Sequence, residues 1–113
     1  MQLEVWSDIM CPFCYMGKRR LETALREFAH RDEVELVWRS YQLDPELRPA
    51  PGKSIHEYLA ERKGMTRDWS ERMHGELEKS AAELGLSYKF GKVVVANSFD
   101  AHRLAHFARK SGM

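Results

Sequence analysis

The chain has 113 residues, 43% of them hydrophobic and 31% charged, with a formal net charge of +1. These values suit one soluble domain or a piece of one. No basic patch interleaved with aromatics points to nucleic acid, and no apolar run nears membrane-spanning length.

The first element is a strand over Leu3-Glu4-Val5-Trp6-Ser7, with Leu3 and Val5 on one side at period two. It leads into Asp8-Ile9-Met10-Cys11-Pro12-Phe13-Cys14-Tyr15-Met16-Gly17-Lys18, which holds both cysteines of the chain. A helical pattern follows: Leu21, Ala24, Leu25 and Phe28 share one face, and Lys18, Arg19, Arg20, Glu22 and Arg26 take the other. Pro12 suits the first helical position, so Cys11 is expected at the cap and Cys14 in the first turn.

Unpaired backbone N–H groups and the positive end of the helix dipole favour a sulfur anion at such a cap. The expectation is a lowered pKa and faster alkylation at Cys11, with Lys18 adding to the bias. A thiolate attacks disulfides, and a second cysteine one turn away resolves the mixed disulfide. Two cysteines at this spacing also suit half a zinc site or an inert pair. A zinc site needs two more ligands, and the chain has no second cysteine pair, so the strand–cysteines–helix context favours redox chemistry.

The first helix is expected to fade at His30-Arg31, with Asp32 marking the turn. Val34 to Tyr41 reads as a second, parallel strand, making residues 1–41 a βαβ unit. From 42 to 53, Pro45, Pro49, Pro51 and Gly52 break both periodicities and mark a connector. A helical part is then expected over 54–113. Ser54 with Glu57 forms a capping box that opens a short helix with Ile55, Tyr58 and Leu59 inward and Gly64 as its stop. Thr66 caps the next helix, whose stripe of Trp69, Met73, Leu77, Ala81 and Leu84 ends at Gly85, with Leu86 placed for a hydrophobic contact. Tyr88 to Ala96 reads as an extended apolar segment. Asn97 or Ser98 caps a last helix with Ala101, Leu104, Ala105 and Ala108 on its apolar face.

The run from the first strand through Cys11-Pro12-Phe13-Cys14-Tyr15 and Gly17-Lys18, together with Asn97-Ser98 and His102-Arg103-Leu104, resembles the DsbA-like thioredoxin-fold oxidoreductases of the FrnE type. The same superfamily contains glutathione-dependent 2-hydroxychromene-2-carboxylate isomerases, which carry a serine in place of Cys11. The resemblance implies an α/β fold in which a thioredoxin-like βαβ unit is followed by an inserted helical subdomain. It also implies thiol–disulfide exchange or isomerisation on protein or peptide disulfides, with Cys11 and Cys14 catalytic and Pro12, Phe13 and Lys18 supporting. Asn97, His102 and Arg103 would face the cysteines from the helical part. No bound cofactor is expected, glutathione being a candidate redox partner. A glutathione-linked small-molecule activity and a non-catalytic helical assembly module are the alternatives.

His102 and His106 lie one helical turn apart, yet no carboxylate or cysteine stands at ligand spacing beside them, so they read as solvated or capping residues rather than metal ligands. Trp6, Met10, Phe13 and Met16 surround the cysteines; Trp6 reads as a core residue and the others as an apolar patch for a substrate chain. Met1 leads directly into the first strand without the basic and apolar regions of a signal peptide, and the cytoplasm is the default expectation. The resembled fold needs a further β-hairpin and helix after the insertion. The chain is therefore expected to be the first half of a family member, or to pair with a second copy.

Overall fold

The computed structural model describes residues 1–48 and 52–113, so Pro49 and Pro51 of the expected connector lie outside the described residues. The chain forms two compact units. One comprises Met1–Leu47 with Asn97–Met113, the other Arg48–Ala96.

The first unit is built on two parallel strands, β1 (Gln2–Ser7) and β2 (Glu35–Ser40), in register from Gln2 opposite Glu35 to Ser7 opposite Ser40. Along β1 exposed and half-buried residues alternate, with Leu3 and Val5 on the covered face as their period predicts. In β2 it is Val37 that is buried. The Arg39 guanidinium reaches the Glu4 carboxylate at 2.8 Å across the pair. Helix α1 (Pro12–Glu27) joins the strands and buries Met16. It stops three residues earlier than the His30-Arg31 signal suggests, because Phe28 turns to extended backbone and a short tight turn at Arg31–Glu33 leads into β2. Ala24 and Phe28, expected on the inward face, are exposed; Leu21 and Leu25 are half-buried.

In the second unit the local signals hold. Helix α2 (Ile55–Lys63) starts at Ser54, whose hydroxyl accepts the Glu57 N–H while the Glu57 carboxylate accepts the Ser54 N–H, and it stops at Gly64 with φ 66°. Helix α3 (Arg67–Glu83) starts at Thr66, whose hydroxyl accepts the Trp69 N–H. It ends with the Leu86 N–H on Ala81 O at 2.9 Å and the Gly85 N–H on Ala82 O at 3.0 Å. This is the doubly bonded terminus that a left-handed Gly85 (φ 77°) permits. Leu86 is buried there, as expected.

The inward face of α3 is rotated from the apolar stripe: Ser70, His74, Leu77 and Ala81 are buried, and Trp69 is exposed. Polar groups can face inward because they satisfy each other. His56 Nδ1 lies 2.6 Å from Ser70 Oγ, and His74 Nδ1 lies 2.7 Å from the Ser70 carbonyl. The His74 ring packs on Phe90 with centroids 4.4 Å apart. Val93-Val94-Val95 forms no strand; a short tight turn at Phe90–Lys92 precedes it, Val94 is exposed and Val95 is buried.

The last helix, α4 (Phe99–Lys110), belongs with the strands rather than with the second unit, so the helical part expected over 54–113 gives up its end to the first unit. Its expected apolar face is also corrected. Leu104 is 67% exposed, Ala101 and Ala105 are exposed, and the residue turned inward is His102. The reason is a buried carboxylate that His102 meets.

Candidate functional site

Strand β1 ends at Ser7, and the four residues Asp8 to Cys11 carry the chain from it to α1. Cys11 is the N-cap, in extended backbone (φ −92°, ψ 115°), and Pro12 takes the first helical position, where no N–H is needed. Both cysteines are free thiols and half-buried, and the Cys14 N–H donates to Cys11 O at 3.2 Å. The helix start is thus where the sequence places it.

The acidity of Cys11 is not as expected. Partial burial of the sulfur pushes its pKa up, and the neighbouring Cys14 thiol pushes it the same way; the amides of Cys14 and Phe13 pull it down without outweighing them. Lys18 is not available to assist. It pairs with Glu22 one turn further along α1, and this contact is the chief cause of a lowered Glu22 pKa.

Exposed apolar side chains precede and separate the cysteines in sequence. Phe13 is 56% exposed, and Trp6 and Ile9 are exposed too, so the burial expected of Trp6 is not found, whereas Met16 lies in the core instead of the patch.

Asp8 is the residue that sequence reasoning missed. Its side chain is 1% exposed. Its carboxylate accepts from the Leu43 N–H at 2.8 Å, from His102 Nε2 at 3.0 Å and from the Met10 N–H at 3.5 Å. Burial alone would raise its pKa, but hydrogen bonds from Ser98, Leu43, His102 and Met10 hold it below the ordinary aspartate value. Three stretches far apart in sequence meet at this one group, and only its place beside the cysteines hinted at it.

The three residues expected to face the cysteines have different fates. His102 contacts Asp8, three residues before Cys11. Asn97 closes the loop after β2: its Nδ2 donates to Pro45 O at 3.1 Å and Leu47 O at 2.9 Å, and its Oδ1 accepts from Gln42 Nε2 at 3.0 Å and from the Phe99 N–H at 2.8 Å. It is therefore Asn97 whose side chain caps α4, while Ser98 supports Asp8. Arg103 pairs with Asp100 on its own helix and is largely exposed. His106 bonds to Ser40 Oγ at 2.8 Å, tying α4 to the end of β2. Between these elements runs a groove of about 570 Å³ whose lining includes Tyr41, Phe99, His102, Arg103 and Phe107.

A strand that delivers two adjacent free thiols to the start of a helix, with a parallel strand beside it, defines the thioredoxin-like class of α/β proteins. The chain belongs to the DSBA-like thioredoxin domain family, whose pattern it matches over residues 2–113. It is similar to a probable DsbA oxidoreductase of Streptomyces coelicolor of known crystal structure, with 40% identity and a TM-score of 0.87, over 99% of this chain and 48% of that one. It is also 36% identical over 53 residues to YwbO, an uncharacterised protein of Bacillus subtilis, a match covering 47% of this chain and 22% of YwbO. The chain thus spans about half the length of the solved structure it matches.

Proposed function

We propose that this chain carries the dithiol of a thiol–disulfide oxidoreductase acting on protein or peptide disulfides. The observation that supports it most directly is the pair of free, half-buried thiols at the start of α1, in a member of the DSBA-like family. In the reducing direction the Cys11 thiolate attacks one sulfur of a substrate disulfide. A Cys11–substrate disulfide forms, and the other substrate sulfur leaves as a thiolate. Cys14 then loses its proton and attacks the Cys11 sulfur, closing the Cys11–Cys14 disulfide and releasing the second substrate thiolate, so that two electrons pass to the substrate. Oxidation runs the same steps backwards. Partial burial raises the Cys11 pKa and so limits the share of attacking thiolate at neutral pH. Phe13, between the two cysteines in sequence and exposed, offers an apolar contact for a substrate chain.

Insulin reduction by the protein tests this reading. Cys11→Ser should abolish turnover, and Cys14→Ser should accumulate a substrate adduct on Cys11 that mass spectrometry detects. Equal turnover in Cys11→Ser would sink it. Equilibration with glutathione buffers measures the potential and fixes the direction.

A further inference from the structure

Asp8 touches the dithiol through its backbone as well as anchoring the fold through its carboxylate. Its carbonyl accepts the Cys11 N–H at 3.2 Å, while its carboxylate accepts the Met10 N–H. Both ends of the residue thus hold the short connection from β1 to α1. The far side of the carboxylate is held by the Leu43 N–H, the Ser98 hydroxyl and His102 Nε2. His102 in turn sits on a helix that is fastened independently, at Ser40 through His106 and at the 42–47 loop through Asn97.

We propose that Asp8 and His102 are positioning residues of the Cys11–Cys14 pair, the contact through which α4 sets how deeply the Cys11 sulfur is held at the start of α1. The inference rests on the dithiol reading above and extends it to two residues outside the cysteine pair. A carboxylate with four donors on it cannot shift without leaving several of them unpaired, so the loop it holds has one place to be. Remove the donor from α4 and the carboxylate turns towards its remaining partners, taking the Asp8–Cys11 loop with it. Cys11 then loses the burial that is the main cause of its raised pKa.

The test is brief iodoacetamide labelling across pH, with Cys11 and Cys14 read separately by fragment-ion mass spectrometry, and with circular dichroism to verify folding. In His102→Ala, Cys11 should label severalfold faster at pH 8 than in the parent, and its midpoint should move down towards that of a free thiol. His102→Gln keeps a donor for Asp8 and should restore the parent profile, which a loss of general stability would not do. Ser40→Ala, which frees His106 but not His102, should leave Cys11 unchanged. If His102→Ala does not fold, Ser98→Ala removes a different donor from Asp8 and should speed Cys11 labelling in the same direction. An unchanged Cys11 profile in the folded variant, or an equal rise in Ser40→Ala, overturns the proposal. Because labelling uses no disulfide substrate, this outcome stands apart from that of the insulin assay.

Discussion

Replacing Asp8 by alanine should destabilise the strand-bearing unit more than any other single polar substitution in it. The carboxylate side chain is 1% exposed and meets the Leu43 and Met10 amides, His102 and Ser98. A hydrogen bond to a charged group contributes about 1.5–3 kcal/mol, but four on one group do not add, and the donors left behind recover part of the loss from water. The working figure is therefore about 3–5 kcal/mol, as for breaking a buried charged network. Its pH dependence follows from the direction of the shift. Asp8 has a folded pKa below its ordinary value, so its contribution is fully present above about pH 4, the unfolded value, and is lost as pH falls through the folded one. Urea unfolding can be followed by Trp6 and Trp38, both on the strands, with Trp69 replaced by Phe. The gap between parent and Asp8→Ala should be widest at neutral pH and should narrow on acidification. A gap below about 1 kcal/mol at pH 7, or one that is the same at pH 3 and pH 7, would refute the reasoning.

In the second unit, burial lowers the His74 pKa, with His56 adding to the effect and the Ser70 carbonyl and Glu78 opposing it. The unfolded state then binds the proton more tightly, so this unit should lose stability as pH falls below about 6.5, and His74→Phe should flatten that slope in Trp69 fluorescence melts. Among the described residues the sheet has two strands, and Trp6, Ile9, Phe99, Leu104 and Phe107 of the first unit are exposed, a combination prone to association. Light scattering on the protein should show self-association; a monodisperse 13.2 kDa species would count against it.

What the sequence made legible was whatever is decided within a few residues. Pro12 places the start of α1, Ser54 with Glu57 and Thr66 place the starts of α2 and α3, and Gly85 with Leu86 ends α3. Each signal acts within at most five positions, as from Leu86 N–H to Ala81 O, so the local chain contains the whole interaction. The Asp8–His102 contact spans 94 positions. Nothing near either residue marks it, and hydrophobic periodicity points away from it by assigning Leu104, not His102, to the inner face of α4. The rotation of α3 has the same origin. A serine and a histidine face inward because His56, on another helix, completes their hydrogen bonds. The acidity of Cys11 is not legible locally for a related reason: the amides at the helix start are a local feature, whereas burial of the sulfur is set by the fold.

Asn97 has a topological consequence. The chain leaves the strand-bearing unit at Leu47 and re-enters it at Asn97, and the side chain of the latter donates to the carbonyl of the former. Exit and return are stitched edge to edge, so everything from 48 to 96 is a detour whose ends need no span between them. A short glycine-containing bridge in place of that detour would leave β1, β2, α1 and α4 connected in the same order. The dithiol and the helical unit are in this sense separately editable.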